Sequence, residues 1–387
     1  EYAFSDCASL WTISLPSTVT EIGGSVFYGC KDLRSISLDQ YNQNFTSYKG
    51  ALFNKDKTVL LVYPAGGTGS YTVPDGCKVI GESAFAYSKL TEIVIPEGVT
   101  EISDSAFYRC SELAKISLPT SLKSIGKNAF GYSGLKYINI LEGVTSIGES
   151  AFYESEIYVI ELPRTLNFIG DRAFISRNLK DVVYSGTEAE WGNISVDYSV
   201  NPYLKNATKH YAVVASGKCG DSAYWYLDQN YVLTIAGSGC MYDYEPDNQP
   251  WLNLRDQKGV IVGGSVTKIG RSAFYFFPDM ETITIGKSVT EIGNAAFSKS
   301  KITSITIPST VKKVDIYCFY ECEKLREVTI KNSAIELEDT TFGYCTGMTD
   351  IFFSGTSGQW TDIVNKASAR TWPNPVVHYG GRCSSGY

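Results

Sequence analysis

The side chains that most often carry out catalysis are scarce in this chain of 387 residues. It has two histidines, His210 and His378, and each precedes a tyrosine in one of two similar stretches of sequence. A catalytic histidine has no reason to occur twice beside the same neighbour, so both are predicted to be structural. The chain also lacks a Gly-x-Ser-x-Gly nucleophile motif, a His-Glu-x-x-His motif and a Gly-x-x-x-x-Gly-Lys-Ser/Thr phosphate loop. We therefore expect no catalytic residue, no cofactor and no enzymatic activity.

The ten cysteines have the spacing of no known metal site. Cys318 and Cys322 are close in sequence but have no companion ligands, so no metal is expected. Five cysteines follow a phenylalanine of the sequence by three residues, at a position that serine takes elsewhere: Cys7, Cys30, Cys110, Cys322 and Cys345. A position shared by Cys and Ser favours a small side chain that can make a weak hydrogen bond at a turn. Cys219 and Cys240 lie in another segment, where a disulfide between them is an open alternative.

Composition excludes several classes of protein. With 34 Lys+Arg against 41 Asp+Glu, the net charge is −7, and no basic run could neutralise the phosphates of a nucleic acid. The longest apolar stretch, around Val59–Val62, is far shorter than the ~18 residues of a membrane-spanning helix, so no transmembrane segment is expected. A content of 43% hydrophobic and 19% charged residues indicates a folded chain.

A phenylalanine recurs every 22 or 23 residues, interrupted by one gap of 58 and one of 100 residues. The phenylalanines of this repeat are residues 4, 27, 85, 107, 130, 152, 174, 274, 297, 319 and 342. Such a period is typical of a solenoid, in which each unit buries its apolar side only by stacking on its neighbours. The chain begins within a unit, so we expect further sequence upstream.

Each unit contains the same short elements. An Ile-x-Ile segment predicts a strand, often ended by proline, and a Val-x-x-Ile-Gly segment predicts a second extended run. The segment around Ala-Phe is too short for a stable helix and predicts a helical or 3₁₀ turn. With two further Ile-x-Ile-like strands, Tyr71–Val73 and Val260–Val262, the chain has thirteen predicted strands. Strands one repeat apart should pair in parallel, and the phenylalanines should form a buried stack.

The two gaps are predicted to be insertions. Residues 39–68 should hold a β-hairpin with its turn at Asn54–Lys57. Residues 185–211 and 354–379 are similar to each other and each follow a last strand, which predicts two C-terminal caps; residues 212–258 would cap the second block at its start. The predicted domains are residues 1–184, a cap and linker module at 185–258, a second block at 259–353 and a final cap at 354–387.

The repeated sequence Ile-Gly-x-x-Ala-Phe-x-x-Cys-x-x-Leu-x-x-Ile-x-Ile-Pro resembles the BspA-like leucine-rich repeat, the Treponema pallidum type of that superfamily. The caps and the hairpin resemble elements that accompany such repeats in proteins of gut Firmicutes. The resemblance implies a mainly β, right-handed parallel solenoid, an extracellular or bacterial cell-surface location, and adhesion to host matrix proteins or cells. The expected glycine is replaced by Asp315 and Glu338, which predicts less regular final turns.

The outward residues of the Ile-x-Ile strands form the predicted binding surface, because solenoids bind macromolecules on extended faces. The most varied part of this face supplies the candidate binding residues: Glu92, Lys115, Tyr137, Asn139, Glu161 and Asp181. The expected partners are host extracellular-matrix or cell-surface proteins. The alternative is that this face is a solvated β surface that binds no ligand.

Two other hypotheses remain open. Aromatic residues between 185 and 258, such as Trp191, Trp225 and Trp251, could stack on glycans, or they could form the core of a small β module. The solenoid blocks would then be spacers. Alternatively, the whole chain is a stalk that displays an upstream domain.

Overall fold

The repeated segments form short strands in two rows, as the computed structural model shows for residues 2–254, 257–263, 265–277, 279–367 and 371–380. The chain divides into two compact units, Glu1–Ala212 and Val213–Tyr387. This boundary lies inside the predicted module 185–258. The four-part division of the chain stays a prediction.

The elements of the first unit are β1 (Thr12–Leu15), β2 (Ser35–Leu38), β3 (Phe45–Tyr48), β4 (Ala51–Asn54), β5 (Val59–Val62), β6 (Thr68–Thr72), β7 (Val79–Ile80), β8 (Lys89–Val94), β9 (Glu101–Ile102), β10 (Lys115–Ser117), β11 (Ser124–Ile125), β12 (Tyr137–Asn139), β13 (Ser146–Ile147), β14 (Val159–Leu162), β15 (Phe168–Ile169), β16 (Asp181–Tyr184), α1 (Glu188–Trp191), β17 (Ser195–Val196), α2 (Pro202–Asn206) and β18 (Thr208–His210). Those of the second unit are β19 (Val213–Lys218), β20 (Gly220–Asp228), β21 (Val232–Met241), β22 (Gly259–Val262), β23 (Val266–Ile269), β24 (Thr282–Ile285), β25 (Glu291–Ile292), β26 (Ser304–Ile307), β27 (Lys313–Val314), β28 (Glu327–Ile330), β29 (Glu336–Leu337), β30 (Asp350–Phe353), α3 (Ser357–Ala367) and β31 (Val376–Tyr379).

All thirteen predicted strands are present: β1, β2, β6, β8, β10, β12, β14, β16, β22, β24, β26, β28 and β30. Most strands one repeat apart pair in parallel, for example Lys115 with Glu92 and Ile138 with Ile160, but β10 and β12, and β24 and β26, are not paired. The Val-x-x-Ile segments form a second row of short strands, also parallel, from β7 to β17 and from β23 to β29. The predicted mainly β repeat solenoid is confirmed, and it continues in register through the turns that carry Asp315 and Glu338. The expectation of less regular final turns was wrong for this pairing.

The repeated phenylalanines form the predicted buried stack in each unit. Phe130 is fully buried between Phe107 and Phe152, with ring centres 5.0 and 5.3 Å away and ring planes within 6° of parallel. Tyr63 and Trp251 join the stacks of their units at points where the repeat has no phenylalanine. Stacked aromatic rings therefore contribute apolar contacts between successive turns, together with the buried aliphatic residues of the same clusters.

The segments around Ala-Phe are turns closed by bonds of 3₁₀ span, such as Ala86 N–H to the Ser83 carbonyl, and not helices. Ser83 and Tyr87 on either side of Phe85 have φ of +55° and +62°. With a left-handed residue at each end of the segment, every second N–H, from Ser83 to Tyr87, points toward the following turn. The N–H groups of Phe85 and Tyr87 thus donate to carbonyls of the following turn, over 2.8 Å each. These bonds between turns offset the cost of left-handed conformations in residues other than glycine.

The predicted hairpin insertion is present and has a third strand. β3 pairs antiparallel with β4, and β4 with β5. Asn54 closes the predicted turn, because its side-chain carbonyl accepts from Val59 N–H at 2.9 Å and its backbone carbonyl accepts from Lys57 N–H. β5 then pairs in parallel with β7, so the insertion returns the chain to the second row of strands.

Candidate functional site

The strand face consists of the outward residues of the Ile-x-Ile strands. In β12, Ile138 is buried while Tyr137 and Asn139 on either side face outward. Because the strands pair in parallel and in register, equivalent residues of successive turns line up in columns. The face is divided in each unit, since β10 and β12, and likewise β24 and β26, lie in separate sheets.

Glu92 and Lys115 meet on the first part of this face. Lys115 Nζ lies 2.6 Å from Glu92 Oε1, and the two side chains are 66% and 37% exposed in that order. Such an exposed pair contributes little to stability, about 0–1 kcal/mol. Its charges remain accessible to a partner.

Tyr137, Asn139 and Glu161 come together on the adjoining sheet. Tyr137 donates its hydroxyl hydrogen to Glu161 Oε1 at 2.5 Å, and Asn139 is the register partner of Glu161 on the neighbouring strand. Glu161 is buried, contrary to its expected place on an exposed face. Its position beneath Tyr137 gives it an orienting role for the tyrosine.

Asp181, the sixth candidate, pairs with a residue that sequence reasoning had set aside. Its Oδ1 lies 2.9 Å from His210 Nε2, across the last strand pair of the first unit. The second unit repeats this arrangement, with His378 Nε2 at 2.7 Å from Asp350 Oδ1. The sequence contains a signal for this pairing. Asp181 lies three residues before Tyr184 and Asp350 three before Phe353, and each of these aromatic residues begins one of the two similar Ser-Gly-Thr segments.

A groove marks the divided strand face of the second unit. It encloses about 580 Å³ where β24 and β26 do not pair. Its lining is rich in hydroxyl groups from outward positions of these strands: Thr282, Thr284, Ser304 and Thr306. Sequence reasoning placed these residues on the face but not among the candidate binding residues.

Most large aromatics of residues 185–258 are buried within their own units. In the first unit, Trp191 packs against Tyr184 at 5.2 Å. In the second, Trp225 and Trp251 meet edge to face at 6.0 Å beneath the antiparallel strands β19–β21. These rings form cores, as the β-module interpretation expects, although Tyr242 remains 41% exposed.

The repeated cysteine position has a defined role. The thiols of Cys30, Cys110 and Cys345 donate to the carbonyl of the phenylalanine in the preceding turn, over 2.9 to 3.1 Å. Burial raises the pKa of the Cys110 thiol to about 12, so this group stays protonated and unreactive at neutral pH. Cys219 and Cys240 are free thiols.

No cluster of three or more His, Cys, Asp or Glu suited to a metal ion is found among the residues that the structure describes. Over the same part of the chain, no helix has the length and apolar character needed to span a membrane.

Comparison with known proteins gives a family match and several similar structures. A family model described as BspA type leucine rich repeat region matches residues 1–62, 70–199 and 253–367, in six copies. A leucine-rich repeat protein from Bacteroides ovatus is 20% identical, over 98% of this chain and 86% of that one, with a TM-score of 0.33. A leucine rich cell surface protein from Faecalibacterium prausnitzii is 21% identical, over 92% and 82% of the two chains, with a TM-score of 0.29. The pneumococcal vaccine antigen PcpA is 14% identical, over 87% and 95%, with a TM-score of 0.26. No match is found among curated proteins.

Proposed function

The chain belongs to the BspA-type leucine-rich repeat family, and from this membership we propose that it is a non-enzymatic protein of the bacterial cell surface or of the secreted fraction that binds other proteins through its strand face. Its proposed partners are extracellular-matrix or cell-surface proteins of a host. The proposed binding patch comprises Glu92, Lys115, Tyr137, Asn139, Glu161 and Asp181.

The observation that carries this proposal is the alignment of outward residues in columns over paired strands. Lys115 lies beside Glu92, and Asn139 beside Glu161, with strands held by backbone hydrogen bonds. A surface held in this way loses little conformational entropy on binding. Its alternating polar, aromatic and charged groups suit a folded protein partner more than a uniformly charged polymer.

Binding can be measured with the purified chain and immobilised fibronectin, laminin and collagen. We expect saturable binding to at least one of them, reduced about tenfold by Lys115→Glu, because the new carboxylate faces Glu92 and reverses the local charge. Absence of binding to all three would contradict matrix proteins as the partners.

Lys127→Glu is the matched control. Lys127 pairs with Glu149 at 2.9 Å, is 51% exposed, and lies outside the strands of the binding face. The Lys127→Glu variant changes the net charge by the same amount as Lys115→Glu, at an ion pair of similar exposure. An equal loss of binding in both variants would mean that net charge, and not the strand face, governs the interaction.

A further inference from the structure

A row of tyrosines lies in the first unit beside the phenylalanine stack and away from the strand face. It consists of Tyr28, Tyr87, Tyr108, Tyr132 and Tyr153, which follow the repeat phenylalanine by one or two residues in alternating turns. The alternation sets neighbouring rings edge to face, at interplanar angles between 62° and 86°. Tyr132 is the most exposed ring of the row, at 36%.

A pocket of about 470 Å³ opens over this row, and we call it the tyrosine pocket. Tyr87 and Tyr132 line it, together with Ser133. Its volume lies within the range of about 300–1,000 Å³ that is usual for small-ligand sites. The strand-face residues proposed above contribute nothing to its lining.

Arg109 extends into the tyrosine pocket between aromatic rings. Its guanidinium carbon lies 4.8 Å from the centre of the Tyr132 ring and 5.8 Å from that of Tyr87. No carboxylate pairs with Arg109 among the residues that the structure describes. The guanidinium also hydrogen-bonds the Tyr108 side chain, so the rings hold it in place while its remaining N–H donors can reach a ligand.

The Ser133 hydroxyl is a second unused group. Ser133 occupies the repeated Cys/Ser position, where the Cys110 thiol donates to a carbonyl of the preceding turn. Ser133 is 2% exposed, and its hydroxyl has no hydrogen-bond partner within the described part of the chain. A buried hydroxyl without a partner is costly, about 1–3 kcal/mol, unless a ligand or water satisfies it.

The charges around the tyrosine pocket balance. Three cations contribute to its lining, Lys31, Lys89 and Arg109. Three carboxylates oppose them, Glu112, Glu154 and Glu156. A site without net charge gives no preference to a polyanion or a polycation, but it supplies both donors and acceptors to a neutral ligand.

The backbone around the tyrosine pocket offers little to an extended peptide. The N–H groups of Tyr87, Arg109 and Tyr132 all donate to carbonyls of the following turn, at 2.8 Å. Peptides that bind by strand addition need an unpaired backbone edge. A saccharide needs none, because its hydroxyls bond to side chains and its ring C–H faces lie on aromatic rings.

From these observations we propose that the tyrosine pocket binds a neutral saccharide, stacked on Tyr132 and hydrogen-bonded by Arg109 and the opposing carboxylates. This site and its ligand are independent of the protein-binding strand face.

The test titrates the full chain with cellotriose, xylotriose, mannotriose, maltotriose and chitotriose, and follows binding by saturation-transfer NMR and calorimetry. At least one should bind, and Tyr132→Ala and Arg109→Ala should each weaken it roughly tenfold. Tyr132→Phe keeps the ring and should retain most of the affinity.

Tyr344→Ala is the matched control, because Tyr344 holds the same repeat position in the second unit and is 54% exposed. It should leave binding unchanged, and circular dichroism checks that each variant is folded. Two results would overturn the proposal: no binding of any trisaccharide, or an equal loss of affinity in Tyr132→Ala and Tyr344→Ala.

Discussion

Replacing Phe130 by alanine should destabilise the first unit strongly. Phe130 is fully buried, and its ring stacks on Phe107 and Phe152 on its two sides. Loss of a buried phenylalanine costs about 3–5 kcal/mol of unfolding free energy, including the cavity that remains. Because two stacked contacts are also lost, we expect a value near the top of that range, about 4–5 kcal/mol.

Phe4→Ala provides the matched comparison within the same unit. Phe4 occupies the same repeat position but is 38% exposed, and it stacks on Phe27 at 5.5 Å. Less apolar area is lost there and solvent can fill the space. We expect a cost of about 1–2 kcal/mol.

The measurement is amide hydrogen exchange with mass spectrometry in increasing urea, on the intact chain. Peptides from the two compact units are followed separately, because a chain with more than one unit need not unfold in one step. Phe130→Ala should lower protection in the first unit and leave peptides around Phe297 unchanged. A loss of unfolding free energy in Phe130→Ala no larger than that in Phe4→Ala would show that the buried stack does not stabilise the first unit as described.

Two other predictions concern thiol reactivity and close backbone packing. Iodoacetamide at about pH 8 should alkylate the exposed Cys240 in the folded protein but leave Cys110 unmodified until denaturant is added. The raised pKa keeps the Cys110 thiol protonated, and burial excludes the reagent. Peptide mapping that finds modified Cys110 in the folded state would contradict this. Gly148→Ala should cost about 1–3 kcal/mol in urea unfolding, since the new Cβ would lie 2.7 Å from the backbone of Gly126 in the preceding turn. The control Gly358→Ala, in helix α3 with its nearest contact at 3.9 Å, should not destabilise the second unit.

The regular part of the fold could be predicted because it follows from a fixed spacing. Once the phenylalanine period was known, the positions of the Ile-x-Ile strands followed, and all thirteen are present. The left-handed residues of the turns could not be predicted, because Ser83 and Tyr87 have no local preference for positive φ. Bonds to the following turn impose that conformation on them. Tyr63 and Trp251 lie 22 and 23 residues before Phe85 and Phe274, at the spacing of the repeat, but a search for recurring phenylalanine does not identify a tyrosine or a tryptophan at that position.

The candidate site was less predictable than the fold. Alternation within a strand identifies outward residues, and it placed Tyr137 and Asn139 correctly on the face. It does not reveal which side chains bend over their neighbours, so the burial of Glu161 was missed. The pairing of Asp181 with His210 joins residues 29 positions apart, so its only signal in the sequence is the similarity of the two caps and not a pattern within one strand.

The division of the strand face bears on how each unit responds to mechanical load. Between β10 and β12 one row of strands is unpaired, whereas β9, β11 and β13 remain hydrogen-bonded in the other row. The second unit has the same arrangement, because β24 and β26 are not paired whereas β25 and β27 are. Each unit therefore has one row of strands with a gap in its pairing and a second row that stays paired at the same turns. Bending or pulling would separate the unpaired strands before any hydrogen-bonded strand pair of the other row breaks. A surface under shear could thus widen its grooves while the underlying coil stays intact.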